Sequence, residues 1–224
     1  MGVKERQERD RETVARAILD AARELFVRDG YQEVSIRKIA ERVEYSPAAI
    51  YSYFESKDDI FLALAEEGFH LLFSYGATPG PSTPGDPLDM LRAIFWRYYE
   101  FSRDHSEYFA LMFIDRTVPR ISRDWERFGF VGRAKNDMLL RIEKAIEAGA
   151  LPADTPAHVV FRVLLTALHG AATLCLCERL SPGEDPDALA RATLDTVLKG
   201  LQSGAARNLN LSPCIHPASE DSQS

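Results

Sequence analysis

Apolar residues recur along this chain at intervals of three and four almost from end to end, and no stretch alternates in the two-residue rhythm of a half-buried strand. The pattern predicts an all-α protein. From Glu12 to Arg28, Val14, Ile18, Ala21, Ala22, Leu25 and Phe26 fall on one stripe, which Asp29-Gly30 terminates. Ser35 is a good cap for a short second helix with Ile36, Ile39, Ala40 and Val43 on its apolar face, broken at Glu44-Tyr45. A third helix opens at Ser46-Pro47, with proline at the first helical position, and ends near Phe54. A fourth starts at Ser56, carries Asp58 and Asp59 in its first turn, and runs through Ile60, Leu64, Leu71 and Leu72 towards Tyr75.

The Gly- and Pro-rich run from Gly76 to Pro87 predicts a loop and is the clearest break in the pattern. Beyond it, helices are expected over Leu88–Arg103, Glu107–Asp115, Ile121–Ala148, Thr155–Leu180 and Asp185–Leu201. From Asn208 the periodicity is gone. The expected organisation is a three-helix head over residues 1–56, a larger helical domain over 57–205 and a disordered tail over 206–224.

Composition adds three constraints. A chain of 224 residues that is 46% hydrophobic can bury a proper core, and the start MGVKERQERD shows no apolar segment of a signal peptide, which points to a cytoplasmic protein with no membrane partner. Cys175, Cys177 and Cys214 cannot all pair, so no disulfide framework is implied. The net charge of −7 argues at first against nucleic acid, but residues 1–57 hold 11 basic and 11 acidic residues, leaving 16 against 23 for the remainder. The acidic excess lies outside the head.

Two short helices joined by a few residues, the second opening with a cap and small side chains, fit a helix-turn-helix whose second helix enters the major groove. The run from Thr13 to Glu66 resembles the DNA-binding head of TetR-type repressors in its Gly30-Tyr31, its Ile39-Ala40 pair and its Tyr51-x-Tyr53-Phe54-x-x-Lys57 ending. The resemblance implies double-stranded operator DNA as a partner, with no cofactor and no metal. Ser35 and Ser46 would present hydroxyls and helix N-termini to phosphates, Tyr51 and Tyr53 would hold the backbone, and Lys57 would add a cationic phosphate contact. Arg37 is the candidate for guanine, while Pro47, Ala48 and Ala49 would offer apolar contact to base edges. Ile50 and Phe54 turn back to the core. Glu44 and Tyr45 depart from the family, which usually has glycine and a small aliphatic residue there. A turn that needs positive φ at Glu44 would store about 1 kcal/mol or more.

The second half is read mainly from its pattern, although FSRDHSEYFALMFIDR and LLTALHGAATLCLCERL are similar to the ligand-binding halves of some TetR members. Phe95, Trp96, Tyr98 and Tyr99 cover most of a helical turn, more than one core face can bury. Together with Phe69, Phe73, Phe113 and His169 they predict a pocket for an apolar or aromatic small-molecule inducer. A stripe of Val160, Val163, Leu164, Ala167, Ala171 and Leu174, with Val197, Leu198 and Leu201 on the last helix, predicts a homodimer built as a four-helix bundle, an intramolecular core being the competing use. The enzyme alternative has little to stand on. Cys175 and Cys177 point to nearly opposite sides of a helix, the five histidines show no ligand spacing, and neither a nucleophile elbow nor a phosphate loop is present. A helical adaptor that binds no operator remains the other alternative.

Overall fold

Local signals in the sequence set the first four helices of the computed structural model, which describes residues 3–77, 85–121, 126–207 and 209. Gly30 sits at φ +84° and its N–H reaches the Phe26 carbonyl at 3.0 Å, closing α1 (Val3–Asp29). Ser35 caps α2 (Ile36–Arg42), its hydroxyl accepting the Lys38 N–H at 3.3 Å, and Ser46 caps α3 (Pro47–Tyr51) by accepting the Ala49 N–H at 3.1 Å. Ser56 does the same for α4 (Lys57–Ala77) through the Asp59 N–H. Ile18, Ala22, Phe26, Ile39, Ala40, Ile50 and Ile60 then meet in one buried cluster. The first helix begins at Val3, well before the expected Glu12, because Lys4 to Thr13 are exposed on every side and leave no apolar stripe to read.

α5 (Pro87–Asp104) starts with Asp86 accepting the Leu88 N–H, and α6 (Ser106–Phe109) continues directly into a π turn (Ala110–Ile114). α7 (Gly129–Glu147), α8 (Ala157–Leu176) and α9 (Pro186–Gln202) complete the described helices. α7 is shorter than the expected Ile121–Ala148, and α8 stops before Leu180. Glu178 at φ +52° turns the chain just after α8. Gly76 and Ala77 belong to α4 and Pro87 to α5, Gly85 and Asp86 are non-helical as expected, and residues 78 to 84 of the expected loop lie outside the described residues. So does the expected tail from residue 210 on. Ordered packing passes residue 205: Ala206 is buried and Arg207 pairs with Asp154 at 2.7 Å.

α8 packs against α5, α7 and α9. It is 20 residues long and apolar enough to cross a membrane by length and composition. Val159, Val160, Leu164, Leu168 and Ala172 show instead what that apolarity serves, being buried against the neighbouring helices. The single chain uses part of the expected dimer stripe itself. Val160, Leu164, Ala171, Leu198 and Leu201 are buried within the single chain, because α8 and α9 spend their most apolar faces on their own core. Val163, Ala167 and Val197 are half-buried and Leu174 is 43% exposed, so the side of α8 left open runs through Val163, Thr166, Ala167, Gly170 and Leu174.

Candidate DNA interface and its link to the helical half

The turn between α2 and α3 is tight. Glu44 adopts φ +59°, the left-handed conformation its place in the turn implies, and the next N–H, of Tyr45, reaches back to the Ala40 carbonyl at 2.9 Å. That fold-back sets α3 across α2. It leaves Ser35, Arg37, Ser46, Pro47, Ala48 and Tyr51 exposed, Tyr51 at 54%, with Ala49 and Tyr53 half-buried beside them. Ile50 is fully buried and Phe54 half-buried, the division the helical spacing requires. Arg37 forms a pair with Glu41 at 2.9 Å, but its side chain remains 81% exposed, and an ion pair so open in water holds it weakly.

Lys57 has a structural task that the sequence did not show. Its amine donates to the Tyr31 and Val34 carbonyls, both at 2.9 Å, and lies 4.2 Å from the centre of the Tyr31 ring. Tyr31 in turn donates its hydroxyl to Asp58. The first turn of α4 is thereby fastened to the loop between α1 and α2, and two of the three ammonium protons are already engaged. Arg11, which the sequence reading missed, donates to the Ser52 carbonyl at 2.9 Å and stacks over Tyr53 at 5.2 Å. Its position seven residues before Ile18, on the core-facing side of α1, was the available signal.

The comparisons with known proteins cover both halves. Residues 18–64 match the family model described as bacterial regulatory proteins, tetR family, and residues 91–197 match that of a tetracyclin repressor-like C-terminal domain. The transcriptional repressor Rv1474c of Mycobacterium tuberculosis is 32% identical over 81% of this chain and 89% of its own length. The chain belongs to the TetR family. The repressor AcnR of Corynebacterium diphtheriae is 28% identical over 83% of this chain and 90% of its own length. Among solved structures, a protein of unknown function from Rhodococcus sp. RHA1 is 26% identical with a TM-score of 0.67, covering 84% of this chain and 95% of that one. The fatty acid degradation regulator FadR of Bacillus halodurans shares the fold at 16% identity, with a TM-score of 0.68 over 84% of this chain and 96% of that one. This TetR-family protein is thus an all-helical DNA-binding transcriptional regulator, and its relatives are regulators rather than enzymes.

The aromatic residues expected to share one pocket fall into two groups. Phe69, Phe73, Phe113, Tyr98 and His169 do come together: Phe69 lies 6.0 Å from both Phe73 and Phe113, Tyr98 lies 6.0 Å from Phe113, and the Tyr98 hydroxyl meets His169 Nδ1 at 2.9 Å. Phe109, Phe128 and Phe130 join them. Phe95, Trp96 and Tyr99 face elsewhere. Phe95 packs on Phe161, while Trp96 lies 4.9 Å from Tyr99 and beneath Arg191 of α9. Tyr99 donates to Asp187 at 3.0 Å. The surplus of aromatics is absorbed because α5 packs on α4, α7, α8 and α9 at once, so more than one side of it is core. Burial holds the Tyr98 phenol well above its ordinary range and pushes His169 below the usual histidine value, so both are neutral at pH 7.

Between this cluster and the DNA head stands a polar junction. Arg23 of α1 donates to the Tyr108 hydroxyl at 2.8 Å and to Glu107 at 2.9 Å, while Arg16 donates to Glu67 of α4 at 2.7 Å. Burial pushes the Glu67 carboxyl up, but hydrogen bonds from Arg16 and Tyr108 more than offset it and hold the group ionised below its ordinary value. Gly68, next along α4, lets Tyr108 and Met112 approach so closely that a Cβ there would collide with Met112. α1, α4 and the α6–π segment are therefore clamped at one point, and the same segment carries Phe113 into the aromatic cluster.

Proposed function

We propose that this regulator is a homodimeric repressor that binds a near-palindromic operator and is released by an apolar or aromatic small molecule, working in the cytoplasm. The observation that carries the reading is that α2 and α3, joined by a tight turn, leave their capped starts, Arg37 and Tyr51 exposed. Ser35 and Ser46 use their oxygens to cap, which leaves each hydroxyl proton and the first free N–H groups to meet phosphates. Arg37 can exchange Glu41 for a guanine edge. Two copies would present α3 at half-sites about 34–36 Å apart. The repressor relatives favour repression over activation.

The Phe69, Phe73, Phe113, Tyr98 and His169 cluster is the place for the inducer, since apolar rings surround two neutral polar groups that can orient a ligand. Opening that cluster would move the π turn and, through Tyr108 and Glu67, the bodies of α1 and α4, altering the spacing of the two recognition helices. A tenfold loss of operator affinity needs about 1.4 kcal/mol of coupling, and DNA must weaken ligand binding equally. The test is selection of duplexes from a randomised pool by the full-length protein, followed by titration of the selected operator. Arg37→Ala is expected to relax base preference at one position of each half-site. Lipophilic and aromatic compounds are then screened for operator release. Failure to select any duplex would leave the adaptor reading in its place, and release only by charged metabolites would rule out an apolar inducer.

A further inference from the structure

α1 outruns the head it belongs to. The residues from Lys4 to Thr13 are all exposed, a run of about three helical turns. A helix that is polar all round has no packing reason to continue, and its backbone gains nothing from a core. Its base, however, is fixed against the recognition helix: Arg11 donates to the Ser52 carbonyl at 2.9 Å and covers the Tyr53 ring at 5.2 Å. That contact shows which way the extension faces. Lys4 and Gln7 share the Arg11 side of the helix at spacings of seven and four residues, and the same line continues into the buried Ile18, Ala22 and Leu25.

The charges on the extension balance, and its cations lie on two sides: Lys4 and Arg11 on the line that leads to Ser52, Arg6 and Arg9 across the helix from it. Glu5 lies about 100° or more from every member of the Lys4–Gln7–Arg11 line, while Glu12 is about 80° from Lys4 and Asp10 about 60° from Gln7. Glu8, four residues after Lys4, is the acid nearest to it. The face that continues from the end of α3 thus offers an ammonium, an amide and the anchored guanidinium, on the side where Tyr51 and Tyr53 approach DNA. These groups suit phosphate and sugar oxygens rather than base edges.

We propose that Lys4 to Arg11 form an arm that lies along the duplex backbone flanking each half-site, with Lys4 and Gln7 contacting phosphate or sugar oxygens. The inference rests on the operator reading above and extends its interface. Lys4 stands about 10 Å beyond Arg11 along the helix axis, a reach of about three base pairs at 3.4 Å each. Glu8 would oppose the approach.

The test uses the full-length protein and a duplex it selects from a randomised pool, with flanks retained. Lys4→Gln is expected to lower affinity several-fold at low salt and to reduce the slope of log affinity against log salt by about 0.9 per subunit. Glu8→Gln is expected to raise affinity. Both effects should vanish on the same duplex trimmed flush to its half-sites, and neither variant should change the melting temperature, because both side chains are exposed. Equal affinity and slope for the original protein and both variants on the long duplex overturns the arm and leaves the operator reading standing. A chain that selects no duplex overturns both.

Discussion

At Glu44 the turn asks for a backbone conformation that its residue dislikes. A side chain at φ +59° costs about 1 kcal/mol, and Glu44 lies exposed in the turn of the proposed DNA-binding unit. Glu44→Gly is expected to raise the unfolding free energy by about 1 kcal/mol in urea titrations and to strengthen operator binding without a change in base preference. A loss of stability would mean that the side chain makes a contact worth more than the strain. The departure from glycine was legible in the sequence, and so was its consequence for φ, since only the turn geometry was needed. Lys57 is the opposite case. Its place in the Tyr-x-Tyr-Phe-x-x-Lys ending pointed to phosphate, but its two carbonyl partners belong to a loop more than 20 residues earlier, which no local spacing records. Lys57→Gln should therefore cost about 1–3 kcal/mol of stability, as expected when charged hydrogen bonds to half-buried carbonyls are lost. An unchanged denaturation midpoint with a reduced salt slope would instead assign the ammonium mainly to DNA.

Helices were legible where amphipathic contrast is strong, and illegible where it fades. α2 and α3 have caps at the expected serines because capping is written in residues adjacent to the helix. α1 ran further than its stripe because a polar residue at every position from Lys4 to Thr13 carries no period. The apolar faces of α8 and α9 were visible, but whether they meet each other or a second chain depends on neighbours that are distant in sequence, and the single chain takes most of them. The same limit applies to α5, whose aromatics were seen as a surplus only because four helical neighbours could not be foreseen. Gly68 is another residue whose role exists only in the pairing of elements. Gly68→Ala would gain about 1 kcal/mol of helix propensity but force Met112 and Tyr108 away from α4, and overpacking of that kind typically costs about 1–3 kcal/mol. The net expectation is a modest fall in melting temperature, read by circular dichroism. A rise would show that the flexible Met112 side chain moves aside without loss.

At the scale of the whole molecule, stability and assembly can be separated by pH and by one surface position. His169 titrates below its ordinary value in the folded chain because burial disfavours its charge, so the unfolded chain binds that proton first. Stability from this group is complete above about pH 6.5 and is lost as pH falls below that value towards the folded one. Unfolding free energy measured from pH 7.5 to 5 should decline less steeply in His169→Gln than in the original protein, and parallel curves would show that the imidazole is not the titrating group. Assembly requires a substitution that leaves the monomer core alone. Ala171, on the expected stripe, is buried in the single chain, so Ala171→Arg would disrupt folding and dimerisation together. Gly170 is exposed and has open space where a Cβ would stand, on the side of α8 that also carries Val163, Ala167 and Leu174. If two copies pair through that face, an arginine there meets its own twofold mate, and a charge that cannot be paired is driven into the interface. Gly170→Arg is expected to keep the helical circular dichroism spectrum, to halve the mass seen by light scattering, and to weaken operator binding, because a single head grips only one half-site. A folded variant that remains dimeric would place the twofold axis on another face of the bundle.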